Sequence, residues 1–250
     1  MSTWTIATFN VNSIRSRLPI LTRWLAVHPV DVLCLQETKT EDALFPASVF
    51  QAMGYSAVYR GEKAYNGTAI CSRTPLTDVK FGFDDGETPL SEARAIQARW
   101  NGIHILNTYV PQGKAINHPD YTGKLRFFSR IRRLLENRYQ VSDHFIWVGD
   151  LNVAPTERDV THPTNKKNHV CCHEDVRKAF QEVISWGLVD VFRKHRPDDG
   201  EFTFWDYRVK DSLERNIGWR IDHVFATPPL AEASTDCFAD REPRRWERPS

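Results

Sequence analysis

Short runs of β-type residues recur along this 250-residue chain and are separated by stretches with helical periodicity. Runs such as "WTIATF" and "YSAVYR" alternate apolar and polar residues, as does a strand with one buried face, whereas "VDVLCL" is apolar enough for burial on both faces. Helical spacing is found in "LPILTRWLAVH", "GKLRFFSRIRRLLENRY" and "HEDVRKAFQEVISWG". This pattern predicts one α/β domain over residues 1–250, with packed sheets covered by helices on the outside.

The composition excludes several classes of protein. Hydrophobic residues make up 41% and charged residues 26%, which is the ordinary range of a soluble globular protein, and the net charge of +1 favours no class of partner. The five cysteines have no CxxC spacing, which argues against a zinc site or a disulfide framework and favours a reducing cytoplasm. We also expect no signal peptide and no membrane association, because no stretch approaches the ~20 apolar residues of a membrane span.

Polar side chains lie at the ends of four predicted strands, where binding residues often gather. They occur in "FNVN", "LQETK", "WVGDLN" and "GWRIDHVF", and the candidates are Asn10, Glu37, Asp150, Asn152 and Asp222. Taken singly, each is more simply explained as an Asx turn, a helix cap or a satisfied core group. Taken together, they form a set that is suited to phosphoryl chemistry.

The residue types in this set have complementary roles. Glu37 and the Asn10 oxygen are hard ligands suited to Mg²⁺, which uses few protein oxygens. Asp150 can orient or deprotonate a water, and Asn152 can donate to a phosphate oxygen. Tyr109 in "NTYVPQG" adds a phenol at another strand end. These residue types predict metal-assisted attack of water on a phosphate ester.

Asp222 stands inside an otherwise apolar strand and needs a partner if it is buried. A buried aspartate in a hydrolase commonly orients a histidine. His223 is adjacent, but alternation along a strand directs it to the opposite face of the sheet. The residues alone therefore leave the partner of Asp222 open.

The ordered motifs "TFNVNSIR", "DVLCLQETK", "YNGTAICSR", "EARAI", "NTYVPQG", "GDLNVAPTERD", "NKKN", "SWGLVDVFR", "FTFWDYR" and "NIGWRID" span the chain. Together they closely resemble the exonuclease III family of abasic-site (AP) endonucleases, within the endonuclease/exonuclease/phosphatase superfamily. "LQET", "GDLN" and "RID" point to the superfamily, and "GLVDVFR", "FTFW" and "GWRID" to its DNA-repair branch. The resemblance implies a four-layer α/β/β/α sandwich, with two packed mixed β-sheets flanked by helices.

The resemblance also implies roles for individual residues. Glu37 is the principal metal ligand and Asn10 a supporting one, with Mg²⁺ as the metal and Mn²⁺ as an alternative. The implied catalytic residues are Asp150, Asn152, Tyr109 and Asp222. The implied DNA-binding residues are Asn165, Asn168, Lys166, Lys167, Arg94 and Gln112. Phe204, Trp219 and Ile221 form an apolar pocket for a flipped-out abasic sugar, which is small enough to enter where an intact nucleotide is not.

Two features depart from the family pattern. His169 follows "NKKN" where relatives usually carry a small residue, so it is a candidate for setting the preference among DNA lesions, although an exposed loop histidine is an equally good interpretation. The family also continues after "RPS" with an Asp-His pair and a last strand, so we expect the protein to continue beyond Ser250 with the histidine that Asp222 orients.

The resemblance implies a monomeric, Mg²⁺-dependent DNA-repair phosphodiesterase acting on double-stranded DNA. It would cut 5′ to abasic sites, with 3′–5′ exonuclease and 3′-end-cleaning activities. Two alternatives stay open: a phosphatase of the same fold acting on small phosphoesters, and a non-catalytic abasic-DNA-binding protein if the chain truly ends at Ser250.

Overall fold

The computed structural model describes residues 3–88 and 91–250. These residues form two compact units. The first unit contains the described residues up to Tyr109, together with Ile146–Asp150 and Asp240–Ser250, and the second contains Val110–Phe145 and Leu151–Ala239. The prediction of a single domain over residues 1–250 stays a prediction.

The described chain contains ten strands and six α-helices, and the third to seventh strands follow one another without an intervening helix. The strands are β1 (Ile6–Asn10), β2 (Val32–Gln36), β3 (Ser56–Arg60), β4 (Thr68–Ser72), β5 (Thr77–Phe81), β6 (Ala95–Trp100), β7 (Ile103–Tyr109), β8 (Phe145–Asp150), β9 (Val189–Asp190) and β10 (Asp222–Ala226). The helices are α1 (Ile14–Val27), α2 (Ala47–Ala52), α3 (Pro119–Arg138), α4 (Glu174–Ile184), α5 (Val191–His195) and α6 (Pro228–Ala233). The three helices predicted from periodicity correspond to α1, α3 and α4. No helix of residues 3–88 and 91–250 is both long and apolar enough to cross a membrane.

The first unit contains a complete four-stranded sheet in the order β1-β2-β4-β3. β1 and β2 are parallel, and the remaining pairs are antiparallel. Ile14, Leu21 and Leu25 of α1 belong to the same buried cluster as Leu33 and Leu35 of β2, so the apolar stripe of the helix covers this sheet. β2 is buried at every position, as its continuous apolar run predicts.

Strands of the second sheet lie in the order β5-β6-β7-β8 in the first unit, and β10 pairs with β9 in the second unit. A polar contact joins the two sheets within the first unit. The buried Asn107 of β7 donates to the carbonyls of Leu35 and Ala69 and accepts from Gln36 Nε2 at 2.7 Å. Because a buried amide is costly unless its groups are paired, these bonds favour one relative position of the two sheets.

The strand ends bring the polar residues of the first unit to one edge. β1 ends at Asn10, and β2 ends immediately before Glu37. Because β1 and β2 are parallel, these two ends lie side by side. β7 ends at Tyr109 and β8 at Asp150.

The second unit contains a buried network of ion pairs. Asp159 Oδ1 accepts from Arg220 Nε at 2.7 Å and from Arg193 Nη2 at 2.6 Å, and Arg220 Nη2 pairs with Asp190 at 2.8 Å. Burial acts to raise the pKa of the Asp159 carboxyl, but the Arg220 charge and the hydrogen bonds hold it well below its usual range. The network joins the segment that carries Trp219 and Asp222 to the loop at Asp159.

We predict that Gly149→Ala strongly destabilises the protein, because β8 passes β7 too closely for a side chain. A Cβ at Gly149, where φ is 138°, would lie 2.0 Å from the Thr108 carbonyl oxygen. The matched control is Gly102→Ala, which also has a positive φ of 86° but has nothing within 4 Å of the added carbon. In urea unfolding, Gly149→Ala is expected to cost at least ~2 kcal/mol more than the control. Equal losses would contradict the close approach.

We also predict that His223 makes stability fall with acidity. Burial, with the Arg220 charge, lowers the pKa of the His223 imidazole to about 4. An unfolded histidine titrates near pH 6.5, so between pH 6.5 and pH 4 the unfolded chain binds a proton that the folded chain does not. The free energy of unfolding should fall over this window by about 3 kcal/mol through His223 alone. Measured against pH, the cost of His223→Gln should shrink from pH 7 to pH 4, and parallel stability curves would refute the assignment.

Candidate active site

Asn10 bridges two carboxylates at the edge of the first unit. Its Nδ2 group donates to Glu37 Oε1 at 2.8 Å and to Asp150 Oδ2 at 2.7 Å, while its Oδ1 accepts from the Asn12 backbone N–H at 3.0 Å. Asp150 is 3% exposed and Glu37 is half-buried. Two negative charges are thus held close together by one neutral amide.

Glu37 has further donors on its carboxylate. Lys39 Nζ lies 2.7 Å from Glu37 Oε2, and the Tyr109 side chain hydrogen-bonds to Glu37. Burial acts to raise the pKa of the Glu37 carboxyl, but the hydrogen bonds from Asn10, Lys39 and Tyr109 and the Lys39 charge lower it below its usual value. Glu37 is therefore ionised at neutral pH.

Tyr109 is held in its neutral form. Burial, followed by the negative charges of Glu37 and Asp150, raises the pKa of its hydroxyl well above the usual range. A protonated phenol can donate a hydrogen bond to an anion. Arg94 supports this ring, because its guanidinium lies 4.7 Å from the ring centroid and its Nη1 donates to the Tyr109 carbonyl at 3.2 Å. Arg94, which the sequence predicts to contact DNA, thus packs against a site residue in the free protein.

The backbone around these side chains is unusual. Asn12, Glu37 and Lys39 have φ values of 39°, 53° and 50°, in the left-handed region that most residues avoid. Backbone hydrogen bonds stabilise this conformation. Thr38 N–H donates to the Gly67 carbonyl at 3.1 Å, and Lys39 N–H donates to the Asn66 carbonyl at 2.9 Å. Such strain persists where the surrounding structure fixes it, which is common at functional sites.

The donor set is chemically suited to a small divalent cation. Glu37 and Asp150 supply hard carboxylate oxygens, and Mg²⁺ is typically held by one or two carboxylates together with waters and substrate phosphates. The Asn10 nitrogen faces both carboxylates and its oxygen accepts from the Asn12 N–H, and its predicted role as a supporting metal ligand stays a prediction. Within residues 3–88 and 91–250 there is no group of three or more His, Cys, Asp or Glu side chains arranged for a metal.

Asn152 belongs to the second unit and is also fixed by its surroundings. It is buried, has a φ of 49°, and donates from Nδ2 to the Val110 carbonyl at 3.0 Å. Its own carbonyl accepts from the buried Lys124 Nζ at 2.5 Å, and the same ammonium donates to the carbonyls of Val170 and Gln112. Lys124 thus links the three loops that contain Gln112, Asn152 and Val170.

Sequence reasoning did not single out Lys124 or Lys39. Lys124 could have been recognised as buried from its place on the apolar side of the predicted helix that contains "GKLRFF". Lys39 could have been recognised as a site residue from its place in the motif "LQETK".

The aromatic residues of the predicted pocket meet in the second unit. Phe204 and Trp219 exchange two backbone hydrogen bonds of 2.8 Å, and both side chains are half-buried, whereas Ile221 is 9% exposed. The His169 ring lies 4.6 Å from the Trp219 ring, and Lys166 Nζ lies 5.2 Å from it. Burial, with the Lys166 and Lys124 charges, lowers the pKa of His169 to about 4, so its imidazole is neutral at pH 7.

The remaining predicted residues of the second unit differ in exposure. Asn165, Lys167, Asn168 and Gln112 are exposed. Asp222 is half-buried and its backbone N–H donates to Thr203 Oγ1. His223 is fully buried and its Nε2 bonds to the Val153 carbonyl at 2.9 Å, so it is engaged elsewhere.

Known proteins are similar to almost the whole chain. Residues 7–250 match the model of the Endonuclease/Exonuclease/phosphatase family. The solved AP endonuclease from Archaeoglobus fulgidus is 48% identical, with a TM-score of 0.97 over 99% of this chain and 96% of that chain. The 3′ phosphatase NExo from Neisseria, solved with a product DNA hairpin, is 35% identical, with a TM-score of 0.93 over 99% of this chain and 96% of that one. The exodeoxyribonuclease III of Haemophilus influenzae is 28% identical, over 97% of this chain and 94% of its own length.

These similarities confirm the α/β fold with two mixed β-sheets flanked by helices, and they confirm the family named from the sequence motifs. The chain belongs to the endonuclease/exonuclease/phosphatase family, in the branch that contains exodeoxyribonuclease III and the AP endonucleases.

Proposed function

We propose that this chain is a DNA-repair phosphodiesterase that cuts double-stranded DNA 5′ to abasic sites and also processes damaged 3′ ends. The observation that carries the proposal is the bridge from Asn10 to Glu37 and Asp150, in a chain similar over nearly its full length to an AP endonuclease and to a 3′ phosphatase. Enzymes of the exonuclease III family are metal-dependent. We propose Mg²⁺ as the metal, held by Glu37 with support from Asn10, and Mn²⁺ as a substitute.

In the proposed reaction, the oxygen of a water forms a bond to phosphorus while the bond from phosphorus to the 3′ oxygen breaks. Asp150 orients the water and accepts its proton, and the departing 3′ oxygen takes up a proton to become a hydroxyl. A metal held at Glu37 would neutralise charge that builds up on the phosphoryl oxygens. The protonated Tyr109 hydroxyl donates to the phosphate. A role for Asn152 in binding the phosphate stays a prediction.

The second unit supplies groups suited to lesion recognition. The half-buried Phe204 and Trp219 offer an apolar surface for a deoxyribose that lacks its base. The segment Asn165–Asn168, in which only Lys166 is half-buried, offers two amides and two ammonium groups to the phosphate backbone. Binding through such contacts weakens as salt concentration rises.

Two alternative functions can be distinguished from this proposal by what the protein does to its substrate. A phosphatase of the same fold would release phosphate from small phosphoesters, and a panel of inositol phosphates would reveal it. A non-catalytic lesion-binding protein would bind abasic DNA without cutting it. We further propose that the protein acts as a monomer in the cytoplasm, which sedimentation and cell fractionation would test.

Incision of an abasic duplex tests the proposed reaction. A duplex with one tetrahydrofuran lesion should be cut 5′ to the lesion in the presence of Mg²⁺, and Asp150→Asn should slow the reaction at least ~100-fold because the proton acceptor is lost. The control is Glu232→Gln, at an exposed position of α6, which should cut at the wild-type rate. Absence of cutting by the wild-type protein with both Mg²⁺ and Mn²⁺ would refute the proposed function.

Lesion preference tests the proposed role of His169. The His169 ring covers part of Trp219, which narrows the surface proposed for the abasic sugar. His169→Gly should therefore raise abasic-site incision several-fold relative to removal of a 3′ phosphate. His162→Gly, in the same loop and at a φ of 55° that suits glycine, is the matched control. Ratios that are equal in wild type and His169→Gly would exclude His169 as a selectivity residue.

A further inference from the structure

Lys39 is a cation placed directly against the proposed metal-binding carboxylate. Its Nζ lies 2.7 Å from Glu37 Oε2 and donates to Asn12 Oδ1 at 2.5 Å. Its side chain is 29% exposed, so water reaches it only in part. The ammonium is therefore held between two oxygens at the site.

The backbone keeps Lys39 in this position. Its φ of 50° is fixed by the bond from its N–H to the Asn66 carbonyl. The preceding Thr38 is buried, and a Cβ at Gly67 would lie 2.0 Å from Thr38 Oγ1, so the two loops fit closely. Lys39 thus differs from an ordinary surface lysine, whose side chain samples many rotamers at little cost.

The other oxygen of Glu37 is also engaged, because Asn10 Nδ2 donates to Oε1 at 2.8 Å. A divalent cation that approaches Glu37 meets a neutral amide at one oxygen and a positive charge at the other. Two cations cannot share one carboxylate oxygen without strong repulsion. Metal and ammonium must therefore compete for Glu37 Oε2.

We propose that Lys39 is a displaceable counter-ion for Glu37, which weakens divalent-metal binding in the free protein and strengthens the dependence of metal loading on DNA. The proposal rests on the proposed function in taking Glu37 as a metal ligand. When the metal displaces the ammonium, Lys39 loses its anionic partner. A DNA phosphate at the site supplies a new one, so metal and DNA favour each other's binding, and this coupling is reciprocal.

The test is Mn²⁺ binding, followed by electron paramagnetic resonance without any cleavage. Lys39→Met keeps an unbranched side chain that is one atom shorter but removes its charge, and it should lower the Kd for Mn²⁺ about fivefold or more. Lys39→Arg keeps the charge and should bind like wild type. Lys80→Met removes one exposed charge on β5 and controls for net charge. An unchanged or raised Kd in folded Lys39→Met would overturn the proposal, since a merely structural role for Lys39 predicts weaker binding.

The coupling has its own measurement. With a duplex that carries an uncleavable phosphorothioate 5′ to the lesion, the Kd for Mn²⁺ should fall more in wild type than in Lys39→Met. Equal shifts would refute the coupling. Should Lys39→Met fail to fold, the rate of acylation of the Lys39 amine is measured in the wild-type protein with and without Mn²⁺. Mn²⁺ should raise this rate, because the displaced amine becomes accessible. An unchanged rate would overturn the proposal. Failure of abasic-site cutting with Mn²⁺ binding as predicted would reject the proposed function and leave the counter-ion role standing.

Discussion

The closeness of two carboxylates is the constraint on which the candidate site depends. Asn10 donates to both Glu37 and Asp150, so two negative charges lie within reach of one amide in a half-buried place. Like charges so close raise each other's energy unless positive charge or hydrogen bonds compensate them. The parallel pairing of β1 with β2 brings Asn10 beside Glu37. Gly149 lets β8 lie close to the Thr108 carbonyl of β7, and Asp150 is the next residue of β8.

The compensation comes from groups of different kinds. Lys39 supplies charge, and Tyr109 supplies a hydroxyl that burial and its anionic neighbours keep protonated. Arg94 packs against the back of Tyr109 and holds the ring in place. A site that gathers negative charge in this way is prepared for a divalent cation and, through that cation, for a phosphate ester. The same charges that attract the metal also require a partner in its absence, which is the role we infer for Lys39.

Sequence patterns predicted the elements that are long or strongly periodic, together with the residues at the strand ends. They did not predict β5 (Thr77–Phe81), which is mostly exposed and carries little apolar signal, or β9 (Val189–Asp190), which has two residues. Residue types alone also could not show which atom of Asn10 faces the carboxylates, because that depends on contacts between residues far apart in the chain. The burial of Lys124 could not be predicted either, because charged residues are mostly exposed. Its carbonyl partners lie in three separate loops that only the fold brings together.

We infer that metal and scissile phosphate meet at Glu37 and Asp150. Anomalous diffraction from crystals of the protein with Mn²⁺ and a phosphorothioate abasic duplex would locate both. We expect a manganese peak at coordination distance, about 2 Å, from a Glu37 carboxylate oxygen, with the phosphate 5′ to the lesion beside Asp150. A well-occupied manganese peak away from Glu37, with the lesion phosphate elsewhere on the protein, would contradict it.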